Sequence, residues 1–173
     1  MHGPRTTIED STDYVVTVTI IVADVARSTA FYRDVLEASV LQVGEPTFLR
    51  LGNIWLTINV GGGPTADKPE VVASPPKDPD VLSGFINLRV KDIARCYELW
   101  RSRGAEFVIE PKVHASEICC YMRDPDAYLI EVGQTTFTTT PFAAYERLGS
   151  PVAELARRPP QHEKDVDAQR AGS

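Results

Sequence analysis

The sequence predicts an α+β fold made of two tandem units, each a strand, a helix and three further strands. Three observations carry this. The chain matches itself at an offset of 68 residues, with six identities over the nineteen positions of 22–40 and 90–108, where about one is expected from average composition. The identities are Val22/Val90, Asp24/Asp92, Ala26/Ala94, Arg27/Arg95, Arg33/Arg101 and Val40/Val108. Each copy passes from a two-residue alternation to an Asp followed by a helical stripe, and a Gly- and Pro-rich stretch separates the copies.

Residues 1–12 read as an N-terminal tail and 13–60 as the first unit. Its opening strand puts Val16, Val18, Ile20 and Val22 on one face and Thr17, Thr19 and Ile21 on the other. Asp24 stands where an N-cap belongs, because a short carboxylate there accepts from the free amides of the first helical turn. Val25, Ser28, Tyr32, Val35 and Leu36 then recur at helical spacing. Strand-like runs at 39–43, 47–51 and 54–60 complete the unit, with turn chemistry at Asn53. Residues 61–82, which open on Gly61-Gly62-Gly63 and hold Pro64, Pro69, Pro75, Pro76 and Pro79, read as a linker or surface crossover. The triple glycine lacks the spacing of a phosphate-binding loop.

The second unit, 83–134, repeats the plan. Ile86, Leu88 and Val90 alternate with Phe85, Asn87 and Arg89; Asp92 caps a helix carrying Ile93, Cys96 and Trp100; Gly104 stops it. Strands follow at 107–109, 118–122 and 128–132, the last two joined by Asp124-Pro125-Asp126-Ala127, which reads as a turn and not as a pair of metal-binding carboxylates. Residues 135–173 form a C-terminal extension, amphipathic over 142–155 and polar from Arg157, where fraying is expected. The even-numbered apolar faces of the two opening strands are expected to meet the helices. The odd-numbered mixed faces are left to line something else.

Composition narrows the function. Eighteen Lys and Arg against 24 Asp and Glu give a net charge of -6, which offers no basic surface to nucleic acid or anionic lipid. The longest apolar stretch, 15–23, is far short of the ~20 residues of a membrane helix, and no secretory pattern opens the chain, so a cytoplasmic protein is expected. Cys96, Cys119 and Cys120 are odd in number and form no Cys/His cluster. They read as small buried hydrophobes in a reducing compartment.

The tandem strand-helix-three-strand plan, with Asp-Val-Ala-Arg-Ser-Thr-Ala-Phe-Tyr-Arg-Asp-Val-Leu in the first copy and Asp-Pro-Asp-Ala-Tyr-Leu-Ile-Glu-Val in the last hairpin, resembles the vicinal oxygen chelate superfamily. That superfamily includes glyoxalase I, extradiol dioxygenases, fosfomycin thiol transferases and bleomycin-type resistance proteins. The resemblance covers about residues 13–134 and implies that each unit curls its mixed sheet into a half-barrel. In metal-using members two ligands per unit converge on a divalent cation. The corresponding positions here are Thr17, Trp55, Phe85 and Glu131. One ligand out of four cannot hold a catalytic metal, so the resemblance implies no metal and no cofactor, with aromatic faces where a metal would sit. The resemblance also implies a homodimer, because in the resistance branch the pocket commonly forms across two copies.

The candidate pocket residues are Thr17, Thr19, Trp55, Thr57, Asn59, Phe85, Asn87, Arg89, Tyr121 and Glu131, with packing inside the barrel the other reading of Trp55 and Phe85. His114 is a further candidate at a pocket mouth or an ordinary loop histidine, since it matches no family ligand position. Glu131 shares strand parity with Leu129, and an inward carboxylate needs a partner: Arg89 and Arg123 are the candidates for an ion pair. Tyr121, three residues before Asp124, corresponds to a position that faces substrate in the fosfomycin-transferase branch, so the resemblance implies a pocket hydroxyl there, with packing as an aromatic strand residue the other reading. The leading expectation is a metal-independent protein that binds an aromatic or planar natural product or antibiotic. The acidic balance suits a cationic guest, although whole-chain charge says little about a pocket. The alternative is a lyase or isomerase acting on a small carbonyl compound, with Glu131 as general base and Tyr121 beside it, metal-assisted only through a ligand such as His114. A ligand-free dimeric scaffold is the third reading.

Overall fold

A computed structural model describes residues 15–136. Val16–Thr140 forms one compact unit; a second, Met1–Val15 with Pro141–Ser173, lies outside the described residues apart from Val15. The tail at 1–12, the amphipathic stretch at 142–155, the polar end, His2 and His162 therefore also lie outside them.

The first half runs β1 (Thr17–Val22), α1 (Val25–Ala30) continuing into a π-helical turn (Phe31–Val35), β2 (Ser39–Gln42), β3 (Thr47–Leu51) and β4 (Ile54–Val60). The second half runs β5 (Ile86–Arg89), α2 (Ile93–Ser102), β6 (Glu106–Val113), β7 (Glu117–Arg123) and β8 (Leu129–Thr135). Each half makes a four-stranded mixed sheet of the same topology, β1-β4-β3-β2 and β5-β8-β7-β6. In each, the first strand pairs parallel with the last, and the other pairings are antiparallel. A parallel pair needs a long return connection, and the helix with its two following strands supplies it.

The helices start as the sequence dictates. Asp24 accepts from the Arg27 amide at 3.0 Å and Asp92 from the Arg95 amide at 3.0 Å. Gly104 ends α2 in the left-handed region, at φ 95°, which a side chain would resist. Ser28, Tyr32, Val35 and Leu36 are buried as expected. In α2 the stripe is Ile93, Tyr97 and Trp100, with Cys96 only half-buried; Tyr97 packs against Phe107 with the rings tilted at 58° and their centroids 4.5 Å apart. Ile20, Val22, Leu49, Leu56 and Ile58 join Cys120, Met122, Ile130 and Val132 in one contiguous core.

Three strand expectations are corrected. Val16 precedes β1 and is 62% exposed, so it adds nothing to the apolar face. The strand expected at 107–109 extends over Glu106–Val113, because Pro111 and the alternating charges Glu110 and Lys112 are tolerated on an edge strand with two register shifts. Phe85 stands just before β5 and is 48% exposed. The linker folds back on itself: Gly62 and Ala73 exchange backbone hydrogen bonds of 2.9 Å, and a Cβ at Gly61 would strike the Ala73 carbonyl.

The turn between β7 and β8 joins the halves. Asp126 Oδ1 accepts from the Ala23 amide at 2.8 Å and from Arg27 at 2.8 Å, while Oδ2 accepts from the Ser28 hydroxyl at 2.5 Å. Asp124 Oδ2 accepts from the Tyr32 hydroxyl at 2.9 Å, and its Oδ1 accepts from the amides of Asp126 and Tyr128. The Tyr128 hydroxyl donates to the Ile21 carbonyl and accepts from its amide, covering β1's free edge there. Burial raises the Asp124 carboxyl above the ordinary carboxylate value despite these donors.

Asp126→Ala should cost about 2 to 3 kcal/mol in denaturant unfolding, because it leaves the Ala23 amide and Ser28 hydroxyl without a partner; Arg27, half in water, adds little. Asp124 binds its proton more tightly folded than unfolded. Acidification through the folded value toward the ordinary carboxylate value therefore adds stability from this group, and alkalinisation through the same window removes it. Unfolding curves taken across that window should show this increment in the wild type and lack it in Asp124→Asn.

Candidate functional site

The register of β5, β8 and β7 sets Asn87, Glu131 and Tyr121 side by side. Side chains directly opposite across a sheet share a face, so two polar groups flank the carboxylate. Glu131 is buried. Its Oε1 accepts from Asn87 Nδ2 at 2.8 Å and lies 3.5 Å from Arg89 Nη1; its Oε2 accepts from the Tyr121 hydroxyl at 3.1 Å. The ion pair with Arg89 is thus present, whereas Arg123 turns instead to Asp80 and the Ala127 carbonyl. Desolvation first, then the bond to Glu131, pushes the Tyr121 hydroxyl up to about 12, which keeps it a donor at neutral pH.

Arg89 is fixed more firmly than its sequence position suggests. It lies opposite Gly133 in the register, and its guanidinium occupies the space a Cβ at Gly133 would need. From there Nη1 reaches Glu117 at 2.6 Å and Nη2 reaches Thr135 at 2.8 Å. Glycine at 133 lets the guanidinium cross β8 and be held by three partners.

The other candidates lie on the first sheet. Thr17 pairs with Trp55, Thr19 with Thr57, and Ile21 with Asn59 across β1 and β4. Thr17 and Thr19 are exposed, Trp55 and Asn59 half-buried and Thr57 nearly covered. Leu56 and Ile58 between them are fully buried on the opposite, helix-side face. The structure therefore gathers Asn87, Arg89, Tyr121 and Glu131 into one cluster and Thr17, Thr19, Trp55, Thr57 and Asn59 into another. Among the described residues no hydrogen bond or ion pair links the two. His114 belongs to neither: it is exposed in the turn after β6, with its amide donating to the Glu117 carbonyl at 2.8 Å. An open hollow of about 280 Å3 lies elsewhere, between α2 and β6, walled by Tyr97, Arg101, Phe107 and Ile109.

Two groups escaped the sequence reading. On β3, Phe48 and Arg50 lie opposite Thr57 and Trp55 and share their face, as the two-residue alternation applied to that strand would have found. Glu117 and Thr135 bind Arg89 from strand ends beyond the expected boundaries. The cysteines are free thiols, two of them buried, and burial pushes Cys120 up to about 12, which keeps it protonated.

The donor set does not fit a divalent cation. The four positions the family uses carry a hydroxyl, an indole, a phenyl ring and a carboxylate already engaged by three donors. Among the described residues no three or more His, Cys, Asp or Glu side chains gather as a metal site would require. Among them, too, no helix is long and apolar enough to cross a membrane.

Comparison with known proteins agrees with the fold. Fosfomycin resistance protein FosX from Mesorhizobium loti is 22% identical with a TM-score of 0.53, over 79% of this chain and 98% of that one. A glyoxalase/bleomycin resistance protein/dioxygenase from Nocardioides is 19% identical at 0.59, covering 78% and 91%. TioX from Micromonospora sp. ML1 is 15% identical at 0.55, covering 70% and 98%. No functionally curated protein is detectably similar in sequence. The family model described as Glyoxalase/Bleomycin resistance protein/Dioxygenase superfamily matches residues 14–132, most of the chain. With its two mixed sheets of identical topology, the chain belongs to the glyoxalase/bleomycin resistance protein/dioxygenase superfamily.

Proposed function

We propose that this chain is a metal-independent binding protein for a small planar organic molecule, of the natural-product or antibiotic kind, and that it works as a homodimer. The observation that carries the reading is the replacement of metal ligands by Thr17, Trp55 and Phe85, together with a Glu131 whose oxygens are already taken by Asn87, Tyr121 and Arg89. An indole and a phenyl ring with hydroxyls around them suit a flat guest that stacks and makes a few directed hydrogen bonds. The kinship with resistance proteins in fold points to sequestration of such a guest. Within one chain the two clusters stand on separate sheets, with Thr17, Thr19 and Phe85 open to solvent. A second copy that brings its second sheet over the first sheet of its partner completes the pocket and covers Phe85.

One observation favours a runner-up. The Tyr121 hydroxyl and Glu131 carboxylate are hydrogen-bonded on one face, a pair able to relay a proton in a lyase or isomerase acting on a small carbonyl compound. Such a role leaves Glu131 only the lone-pair capacity that Asn87, Arg89 and Tyr121 do not use, and donors that favour the charged carboxylate weaken it as a base; this ranks the binding reading first.

Trp55→Ala should weaken guest binding by about tenfold or more in calorimetric titration, the loss expected of an aromatic anchor. Retention of affinity would show that Trp55 is not the wall. Light scattering on a sizing column should give twice the chain mass; a monomer that still binds guest would remove the shared pocket. After dialysis against zinc, nickel, manganese and iron in turn, elemental mass spectrometry should find far less than one ion per chain. Near-stoichiometric metal lost in Glu131→Ala would overturn the metal-independent reading. Turnover of a carbonyl substrate that vanishes in Glu131→Gln would install the enzyme in its place.

A further inference from the structure

The binding reading leaves open the charge of the guest, and the first sheet answers it. Three arginines among the described residues are half-buried: Arg50, Arg89 and Arg123. Arg89 is paired with Glu117 and Glu131, and Arg123 faces Asp80. Arg50 alone of the three has no hydrogen-bond, ion-pair or ring partner among the described residues. A half-buried arginine whose guanidinium has no counterion among the described residues keeps its whole fork of donors available to a ligand.

Its setting indicates the use. Thr17, Trp55, Arg50 and Ser39 form one row across β1, β4, β3 and β2, and Thr19, Thr57 and Phe48 form the next. Arg50 thus has the Trp55 indole beside it across the strand pair and the Phe48 ring two residues along its own strand, both half-buried. Residues 17, 19 and 21 of β1, 48 and 50 of β3, and 55, 57 and 59 of β4 include no Asp or Glu, so Arg50 supplies the only formal charge on that face of these three strands.

Resting on the binding reading above, we infer that Arg50 is the anion anchor of the pocket and that the guest is an aromatic acid, its ring on Trp55 and its carboxylate on the Arg50 guanidinium. A planar fork of donors meets a carboxylate through two parallel hydrogen bonds, while the indole takes the ring that carries it. The Thr17 and Ser39 hydroxyls at the ends of the row are placed to hydrogen-bond further polar groups of the guest. This reverses the expectation from net charge: an acidic chain presents a cationic face at its site.

The test is calorimetric titration of the full chain with 2-naphthoate and its neutral isostere 2-naphthamide, using the wild type, Arg50→Gln, Arg50→Lys and Trp55→Ala. The wild type should prefer the acid by about tenfold, the scale of a lost charge-assisted hydrogen bond. Arg50→Gln should erase that preference by weakening the acid more than the amide, Arg50→Lys should retain part of it, and Trp55→Ala should weaken both probes. If both probes bind the wild type equally, or the preference survives in a folded Arg50→Gln, Arg50 is not the anchor and the binding reading stands without it. If neither probe binds the wild type or perturbs its tryptophan fluorescence, the stacking site itself is wrong and the anchor falls with it.

Discussion

Two carboxylates in one tight turn hold the two halves of this fold together. Asp124 and Asp126 sit between β7 and β8, yet their partners are Tyr32, Ser28, Arg27 and the Ala23 amide at the start of α1. Burying two acidic groups side by side is costly, and the turn meets that cost with a donor for every oxygen. The geometry this imposes is strict. The turn presents both oxygens of each carboxylate with Ala127 in the left-handed region at φ 70°, and α1 with the π-helical turn that continues it places Ser28 and Tyr32 four residues apart, each on one carboxylate. Once that joint is made, Tyr128 covers the edge of β1 and the apolar faces of both sheets close over a common core.

The two halves share a backbone plan and differ in their faces. What the duplicated segments retain is what the backbone needs: the capping Asp24 and Asp92, the valines at 22 and 90, and a large aromatic at Tyr32 and Trp100. The odd-numbered faces carry no such obligation. The first became aromatic and hydroxylic around a single cation; the second became a saturated polar network around Glu131 and Arg89. Two equal frames thus came to offer two unlike surfaces.

Much of the frame was legible because its signals are local. Capping aspartates, the glycine that ends α2 and the alternation of β1, β4 and β5 act over a few residues and survive any tertiary context. β6 was not legible beyond its first residues, since an edge strand takes charges and a proline that a central strand would refuse. At the site, alternation placed Asn87, Tyr121 and Glu131 on the face where they meet. The pairing of Arg89 with Glu131 was among those legible in the sequence, but its partners Glu117 and Thr135 were not, because they stand 28 and 46 residues away, at strand ends beyond the expected boundaries. Nor does the Asp-Pro-Asp turn announce its long-range role: its turn chemistry is complete without it.

The division within β4, with Leu56 and Ile58 sealed in the core and Trp55, Thr57 and Asn59 on the other face, makes outer-face chemistry and folding separable variables. Leu56 and Ile58 belong to the apolar core while Trp55 and Asn59 are half-buried and Thr57 nearly covered on the other face, so the outer positions can change with little recutting of the interior. The same frame can then carry a different set of side chains on that face without loss of the fold, which is how one architecture comes to host unlike chemistries.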